Sequence, residues 1–557
     1  MREPLHHAAA IALACTVAAN TADAQPAIID ERFDDWSAGD LLATDPAGDS
    51  RVDGFDLTRV WARTHGTTLY VSFEFDGTLR SLQSGELLAQ PQLAVTLPNG
   101  NELVVFHRQR FAVVIDSPLA SSDDLLELPH IPWPLLDYTL LPTVASPRYE
   151  LRVDLAPAGA AIGDTIGVHL ESPTVRALAD SGDGIARVLL SAPDNIDTPI
   201  ELELTPPGSP APRVPTDRAP GTDIRVAVFN VLASQLTEAD TPDIDDPYDR
   251  LSRLVRAARA DIYLFQEQSG SRLDLSARLT TLDPLDNGAL WFAHTDDTDS
   301  RFGSDFVLAT RPLIPVTDAI ANPFAAAVVG DDPETAVLVL SIHPKCCGYA
   351  GSSEDDTRIA EADQTAEMIA RFRRAELGPE LAPFADVPVI VAGDWNLVGS
   401  NTPREILTAP DGPALDHMIL LKTDGRDAAT WRALNGLGFT PGLLDLVAFS
   451  PESLEPLGGF VVDTERMTPS ELQALGLRPL DSLVSDHLML VADFKLRGPA
   501  LDVNDDGRTD IDDLHAWTLA PTDLNDDAVA DNRDAALLIA YLRRHEAFSM
   551  ESRGGRP

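Results

Sequence analysis

Cysteine and long apolar runs are scarce in this chain, and each scarcity excludes a class of protein. The 557 residues contain three cysteines, and two of them, Cys346 and Cys347, are adjacent. Adjacent cysteines cannot join distant loops, so stability must come from hydrophobic cores and bound ions rather than from a disulfide framework. The pair is compatible with a strained vicinal disulfide, with free thiols or with bonding to another chain. No apolar run approaches the roughly 18 residues of a bilayer span, so we expect no transmembrane segment.

Positive charge is also scarce. The chain has 42 Lys and Arg residues against 88 Asp and Glu residues, a net charge of −46, and only three of the bases are Lys. A protein that coats nucleic acid would carry a basic face, so the composition argues against that class. A hydrolase that meets phosphates through a bound metal remains compatible with it. Hydrophobic residues make up 44% of the chain, which is typical of globular protein, and the length predicts three or four domains.

The first 24 residues have the pattern of a secretory signal peptide. Arg2 precedes a short apolar stretch, and the small-x-small sequence at Ala22–Ala24 is typical of a cleavage site. A buried N-terminal helix and a lipoprotein lipidated at Cys15 are the alternatives. We therefore expect a secreted protein, either extracellular or periplasmic, whose mature chain retains only the adjacent cysteines.

Residues 26–203 predict an antiparallel β-sandwich. In TLYVSFEF, apolar residues alternate strictly, and similar short segments recur in PQLAVTL, ELVVFHRQRFAVVID, YELRVDL, TIGVHL, ARVLL and IELEL. The opening FDDWSAGDLLATDPAGDS, followed by a strand and LYVSFEF, resembles carbohydrate-binding family 9-like (DOMON-related) sandwiches. The resemblance implies a possible carbohydrate ligand, and a spacer domain is the alternative.

Six prolines in residues 204–221 predict a semi-rigid extended linker. From residue 222 to 497, apolar strands such as IRVAVFNVL and VPVIVAGDWN alternate with amphipathic helices such as DPYDRLSRLVRAARA, which predicts an α/β domain. Residues 498–546 form an Asp-rich repeat, and residues 547–557 form a tail that we expect to be disordered. The predicted molecule is therefore multidomain.

Polar residues concentrate where the apolar strands of the α/β region end. In chain order they are Asn230, Glu267, His343, Asp394, Asn396, Asp445, Asp486 and His487. Any one of them alone is more often a turn, cap or structural residue. Polar groups at strand ends can, however, converge in one cleft and orient a substrate.

The order FNV, QEQ, strand-end His, GDWN, LDLV and SDH resembles the endonuclease/exonuclease/phosphatase superfamily, which includes deoxyribonuclease-I-like nucleases, sphingomyelinases and inositol-polyphosphate phosphatases. The resemblance covers Thr222–Leu496. It implies a four-layer α/β sandwich of two packed mixed sheets flanked by helices, and a hydrolase that cleaves phosphate esters with Mg²⁺ or Mn²⁺.

The resemblance also implies individual roles. Asn230 and Glu267 would hold the metal ion, and Asp486 would sit beside that metal or bind a second one. Asp394 would orient or deprotonate the attacking water, and Asn396 would position it. His343 would donate to the phosphate or to the leaving oxygen, and Asp445 would polarise His487. Lys345 is a candidate phosphate contact or an ordinary surface lysine, and Arg358 is either a phosphate-side or a buried structural residue.

The Asp-rich segment is a two-fold repeat with an offset of 21 residues. Its residues match the ligand positions of an EF-hand calcium loop, with Asp at the last position. The first copy supplies Asp502, Asn504, Asp506, Arg508 (backbone carbonyl), Asp510 and Asp513. The second copy supplies Asp523, Asn525, Asp527, Val529 (backbone carbonyl), Asp531 and Asp534. The pattern resembles dockerin type I modules, which implies Ca²⁺, a small EF-hand-like helix pair and a cohesin-type partner; an acidic solvated tail is the alternative.

The leading functional prediction is a secreted, metal-dependent phosphodiesterase, with an extracellular endonuclease placed first. A phospholipid, sphingomyelin or sugar-phosphate diesterase of the same superfamily is the nearest alternative. A carbohydrate-binding or scaffold-docking protein with an inactive enzyme-like domain is the alternative of another class. The intact GDWN and SDH motifs favour an active enzyme.

Overall fold

The computed structural model describes most of the chain between residues 25 and 542. The described residues are 25–45, 47, 56–79, 92–107, 110–116, 127–172, 194–195, 200–232, 247–268, 271–285, 288–295, 304–317, 324–497, 503–504, 511–522, 524, 530, 532, 534–536, 538–539 and 542. The predicted signal peptide, the ARVLL strand and the C-terminal tail lie outside them. Among the described residues, no helix is both long and apolar enough to cross a bilayer.

Two antiparallel sheets form the N-terminal part of the chain. The first has the order β1-β2-β3-β8-β7, with β1 (Leu41–Thr44), β2 (Leu57–His65), β3 (Thr68–Leu79), β7 (Thr139–Leu141) and β8 (Ser146–Asp154). The second has the order β10-β9-β4-β5-β6, with β11 also paired to β9: β4 (Gln92–Thr96), β5 (Glu102–Phe106), β6 (Phe111–Ile115), β9 (Thr165–Ser172), β10 (Asp194–Asn195) and β11 (Ile200–Glu203).

The alternation read from the sequence explains how these sheets pack. Leu69, Val71, Phe73 and Phe75 of β3 all enter one buried cluster, together with Leu93 and Val95 of β4 from the other sheet. Because successive side chains of a strand point to opposite faces, each sheet contributes one apolar face to this shared core.

Two more sheets, each of six strands, form the second part of the chain. One has the order β14-β15-β13-β12-β23-β22, with β12 (Ile224–Asn230), β13 (Ile262–Gln268), β14 (Phe292–Thr295), β15 (Ser304–Ala309), β22 (Leu454–Val462) and β23 (Met489–Leu496). The other has the order β16-β17-β18-β19-β21-β20, with β16 (Leu313–Pro315), β17 (Phe324–Val329), β18 (Val337–Ile342), β19 (Val389–Asp394), β20 (Asp416–Met418) and β21 (Asp445–Phe449).

Both sheets of the second part are mixed. β12 pairs with β13 in parallel, β18 pairs with β19 in parallel, and the other pairs are antiparallel. Small and β-branched residues from the two sheets share one buried cluster, such as Val226 of β12 and Val339 of β18. The two sheets therefore face each other across a dry core, as the continuous apolar strands indicate.

Helices cover the outer faces of these two sheets. Their bounds are α1 (Pro247–Ala258), α2 (Arg272–Leu282), α3 (Ser353–Arg373), α4 (Thr402–Thr408) and α5 (Pro469–Leu475). The first, second and fifth helices pack on the sheet that contains β12, and the third and fourth pack on the sheet that contains β18. The strands and helices agree with the multidomain α/β organisation that the sequence predicts.

The proline-rich segment 204–221 contains no helix or strand and runs along the second part of the chain. The backbone N–H of Val214 donates to the Thr423 carbonyl at 3.1 Å, and that of Ala219 donates to a carboxylate oxygen of Asp493 at 2.8 Å. These hydrogen bonds anchor the segment along the second part of the chain.

In the C-terminal repeat the structure describes α6 (Ile511–Leu519) and scattered residues after it. Trp517 and Leu538 are buried against each other, with Leu514 and Leu524 packed around them. Of the predicted calcium ligands, Asn504, Asp513 and Asp534 lie within the described residues, and the other nine lie outside them.

Candidate active site

The strand ends of the two mixed sheets bring the predicted polar residues to one edge. Asn230 is the last residue of β12, and Asp394 is the last residue of β19. His343 follows β18, and His487 precedes β23. β21 runs antiparallel to β19 and pairs Asp445 with Asp394, so its first residue lies at this same edge. The order of the strands thus gathers residues that are up to 257 positions apart.

Asn230 connects two carboxylates at the centre of the site. Its Nδ2 donates to Glu267 Oε1 at 3.2 Å and to Asp394 Oδ2 at 3.1 Å. His343 Nε2 lies 3.6 Å from the same two carboxylate oxygens. The side chains of His343 and Glu267 are 20% and 17% exposed, so this part of the site opens to solvent.

Glu267 reaches the site because its strand is irregular. The pairing of β13 with β15 shifts register between Phe265 and Gln268, and Glu267 has a φ of 55°. Regular alternation would leave Glu267 on the same face as Phe265, which packs in the helix-covered core. A positive φ is costly for a residue other than glycine, so backbone strain here marks a residue held for its position.

The GDWN motif has a steric basis as well as a chemical one. A Cβ at Gly393 would lie 2.0 Å from the Ile342 carbonyl oxygen of the neighbouring strand, so a side chain is excluded there. Asn396 has a φ of 50°, donates from Nδ2 to the Pro344 carbonyl at 3.0 Å, and its backbone N–H donates to Asp394 Oδ1 at 2.9 Å. The motif therefore ties the end of β19 to the loop after His343.

His487 and Asp445 form a buried pair. His487 Nδ1 lies 2.9 Å from Asp445 Oδ2, and its Nε2 lies 3.4 Å from Asp394 Oδ2. Burial lowers the pKa of His487, but the Asp445 and Asp394 carboxylates outweigh burial and raise it to about 10. Burial raises the pKa of Asp445 to about 6, although the His487 charge opposes this shift. The raised pKa of His487 favours its charged form, so the two side chains form an ion pair.

Asp486 is half-buried, and both its carboxylate and its backbone carbonyl accept a hydrogen bond. The indole N–H of Trp431 donates to Asp486 Oδ2 at 3.0 Å, and the Arg432 backbone N–H donates to the Asp486 carbonyl at 2.8 Å. Nearby, Ser485 Oγ donates to the Asn230 carbonyl at 2.8 Å, which fixes the SDH segment against β12. Trp431 is separated from Asp486 by 55 residues, and the sequence contains no local signal for this contact.

Lys345 and Arg358 have different environments. Lys345 is exposed beside His343, and its backbone N–H donates to Glu361 at 2.7 Å. Arg358 is fully buried and donates from Nη1 to the carbonyls of Lys345 and Cys347 at 2.7 and 2.8 Å. Of the two roles that the sequence left open for Arg358, this geometry matches the buried structural one.

Asp305 is a site residue that the sequence analysis missed. It belongs to β15, is 6% exposed, and its Oδ1 lies 4.0 Å from His343 Nδ1. The Ser-Asp pair that opens the apolar run SDFVLA is the signal that could have identified it. With Asp305, the histidine has a carboxylate near each of its two ring nitrogens.

The chemistry of these donors fits a hard divalent cation. Oxygens of Glu267 and Asp394 lie near the same His343 nitrogen. Among the described residues, the ion pairs of these two oxygens are with the histidines His343 and His487 and not with a Lys or Arg side chain. Oxygen-rich sites of this kind suit Mg²⁺ or Mn²⁺. A second geometric group consists of Asp394, Asp445 and His487, whose ligand atoms lie within 4.8 Å of one another. In that group Asp445 Oδ2 and His487 Nδ1 already bond each other, so we favour the cluster around Glu267.

No model of a known protein family matches the sequence, and neither does any curated protein. Three solved structures are each similar to 49% of this chain. TDP2 of D. rerio, complexed with a single-strand DNA product, is 15% identical and has a TM-score of 0.31 over 49% of this chain and 98% of its own.

An endonuclease/exonuclease/phosphatase family protein from Bacteroides thetaiotaomicron is 15% identical, with a TM-score of 0.30 over 49% of this chain and 94% of its own. A beta toxin of Staphylococcus aureus with bound magnesium ions is 14% identical, with a TM-score of 0.30 over 49% of this chain and 99% of its own. TM-scores this low do not indicate a function, so the proposal below rests on the side chains of the candidate site.

Proposed function

We propose that the chain is a metal-dependent phosphoesterase that hydrolyses phosphodiester bonds. The observation that carries this proposal is the convergence of Asn230, Glu267, His343 and Asp394 at one open edge, next to the His487–Asp445 ion pair. The order of the motifs in the sequence supports the same reaction class. A phosphodiester is anionic, so carboxylates of this density can receive it only with a cation between them.

Glu267 and the amide oxygen of Asn230 would hold the cation, which supplies Lewis acidity for the phosphoryl group, and Asp486 would sit beside that cation or hold a second one. Asp394 is then free to orient the attacking water, and Asn396, fixed by its bond to the Pro344 carbonyl, positions it. His487, charged beside Asp445, donates to a phosphoryl oxygen as negative charge develops. His343, at the open side, donates to the leaving oxygen.

Alanine at Asp394 or His487 should lower turnover of bis-p-nitrophenyl phosphate by at least about a hundredfold, and EDTA should abolish it. Mg²⁺ titration by calorimetry separates the two candidate metal groups. His487→Ala should still bind Mg²⁺ if Glu267 and its neighbours hold the ion, and should lose binding if His487 is a ligand. Rates close to wild type in either variant would reject the proposed site.

We propose nucleic acid as the first substrate to test and phospholipid or sugar-phosphate diesters as the second. Plasmid nicking beside sphingomyelin hydrolysis, both with and without Mg²⁺, separates them. Exposed Lys345 beside His343 supports an anionic polymer, because it could contact a neighbouring phosphate. Plasmid that stays intact under conditions where the lipid is cleaved would overturn this order.

We also propose Ca²⁺ binding by the C-terminal repeat. Asp513 Oδ1 accepts the N–H of Val503 at 2.7 Å, and Asp534 Oδ1 accepts that of Leu524 at 2.6 Å. Both acceptors and both donors are 21 residues apart, so the two copies share one local geometry, with a fully buried carboxylate at the last loop position. That oxygen-rich position suits Ca²⁺.

Calorimetry of the full chain with Ca²⁺ should show binding that is lost in the Asp513→Ala, Asp534→Ala double variant. Equal heats for both proteins would contradict a site in the repeat. Secretion, a cohesin-type partner and a carbohydrate ligand for the N-terminal sheets stay predictions from the sequence.

A further inference from the structure

The loop after His343 carries two exposed thiols at the rim of the candidate site. Cys346 and Cys347 are both free, and their sulfur atoms are 2.9 Å apart. The chain contains one other cysteine, Cys15, within the predicted signal peptide. After cleavage each of these two thiols therefore has only the other as a partner within the same chain.

The backbone of this loop is bonded to the site residues. Asn396 Nδ2 donates to the Pro344 carbonyl at 3.0 Å, and Arg358 Nη1 donates to the Lys345 and Cys347 carbonyls at 2.7 and 2.8 Å. Cys347 and the following Gly348 both have a positive φ, 71° and 76°. The Cys346–Cys347 peptide therefore lies between the two carbonyls that Arg358 holds, and the carbonyl that accepts from Asn396 lies two residues before Cys346.

Covalent geometry decides what kind of disulfide this pair can form. The Cα atoms of adjacent residues are about 3.8 Å apart across a trans peptide and about 2.9 Å across a cis one, below the range of roughly 4.4–6.8 Å in ordinary disulfides. A bond between neighbours is consequently strained, and strained, exposed disulfides are reduced easily. Such a bond suits reversible chemistry rather than permanent stabilisation.

We propose that Cys346 and Cys347 form a redox-active dithiol that a small-molecule disulfide oxidises reversibly to a vicinal disulfide, which lowers the activity of the neighbouring site. One thiol loses its proton and attacks the small disulfide, releasing one small thiol and leaving a mixed disulfide. The second cysteine loses its proton, displaces the second small thiol and closes the ring. Two protein thiols are oxidised and one small disulfide is reduced to two thiols.

The effect on activity rests on the proposed function, whereas the thiol chemistry does not. Ring closure twists the Cys346–Cys347 peptide, which lies between the Lys345 and Cys347 carbonyls that Arg358 holds, so the loop moves and the Pro344–Asn396 bond weakens. Burial, with help from the Cys347 thiol, raises the pKa of Cys346 to about 11, so the exchange should be slow at neutral pH.

The test incubates the full chain with oxidised glutathione and follows intact mass and phosphodiester hydrolysis on the same samples. We expect a loss of about 2 Da, a fall in turnover of at least about fivefold, and recovery of both after reduction. The Cys346→Ser, Cys347→Ser double variant should be active and insensitive to the oxidant. Each single variant shows whether a mixed disulfide alone has an effect.

Stable glutathione adducts without the loss of about 2 Da would overturn the dithiol, and so would an unchanged mass. Oxidation that leaves turnover unchanged would overturn its coupling to the site. Reduced protein that hydrolyses no phosphodiester would instead count against the proposed function, because the mass change is read without any substrate.

Discussion

Trp431 shows how one side chain outside the recognisable motifs supports the candidate site. Its indole N–H donates to Asp486 Oδ2, and its backbone forms antiparallel β-bridges with Gly442 and His487. Groups that hydrogen-bond a metal ligand fix its orientation, and their loss commonly weakens metal binding. In the proposed metal site, Trp431 is therefore a positioning residue for Asp486.

Trp431→Phe should weaken Mg²⁺ binding by about tenfold, because it removes the donor to Asp486 and keeps an aromatic ring. Calorimetric Mg²⁺ titration measures this, and turnover at saturating Mg²⁺ should change much less. Trp291→Phe is the matched control, since its indole donates to the Asp283 carbonyl at 2.8 Å within a separate core. Equal Mg²⁺ affinity of wild type and Trp431→Phe would contradict the positioning role.

At the scale of elements, strand ends and their irregularities decide which side chains converge. The strands that lead to Asn230, His343 and Asp394 can be read from apolar runs in the sequence, because strands buried on both faces are mostly apolar. Arg225 and Ser341 are the buried polar exceptions within them. The irregular pairing at Glu267 cannot be read in this way. A register shift depends on the partner strand β15, which the chain supplies about forty residues later.

A buried histidine in the N-terminal sheets gives a test of element stability. His107 follows β5, its Nδ1 lies 2.9 Å from the Tyr138 hydroxyl, and burial lowers its pKa from 6.5 to about 3. Because the folded-state pKa lies below the unfolded-state value, the unfolded chain takes up the proton first. Stability is therefore lost as the pH falls from 6.5 toward about 3.

Between about pH 7.5 and about pH 5, protonation of His107 in the unfolded chain should lower the free energy of unfolding by about 2 kcal/mol. His107→Gln should lack this part of the loss. Urea unfolding of both proteins at the two pH values measures it, and the stability gap between wild type and variant should change by that amount. His515→Gln, at an exposed position, is the control. Parallel pH profiles for wild type and His107→Gln would show that His107 is not buried as a neutral group.

At the scale of the whole molecule, the N-terminal sheets contact the segment that supports the site. Arg152 of β8 pairs with Asp427 at 2.6 Å, and both side chains are fully buried. The backbones of Ile29 and Asp427 form a parallel β-bridge. The backbone N–H of Trp133 donates to the Gly436 carbonyl, and its indole N–H donates to the Gly438 carbonyl. Downstream of Asp427, Thr430 Oγ1 accepts the Asp445 N–H at 3.0 Å, which links this interface to the His487–Asp445 pair.

Arg152→Met should destabilise the protein by about 3–5 kcal/mol, because it removes the buried cation shared by Asp137 and Asp427 and leaves Asp427 with Lys422 as its remaining ion-pair partner. Adding Asp427→Asn removes that charge and should recover part of the loss. Thermal unfolding of the full chain measures both variants, and phosphodiester hydrolysis should fall with Arg152→Met. Arg374→Met, which removes an exposed ion pair with Glu367, should change little. No recovery in the double variant would show that the ion pair is not the cause.

The strands that lead to the candidate site, the helices Pro247–Ala258 and Ser353–Arg373 and the order of polar strand ends could be predicted from the amino-acid sequence, because apolar periodicity and turn residues are local properties of the chain. The repeat of 21 residues is likewise visible in the sequence. The tertiary structure was needed to show that Asn230, Glu267, Asp394 and His487 meet, that Trp431 and Asp305 lie beside them, and that the N-terminal sheets contact residues 427–438. Those contacts depend on which strands become neighbours, and that choice follows from burying all the apolar faces together rather than from any single segment.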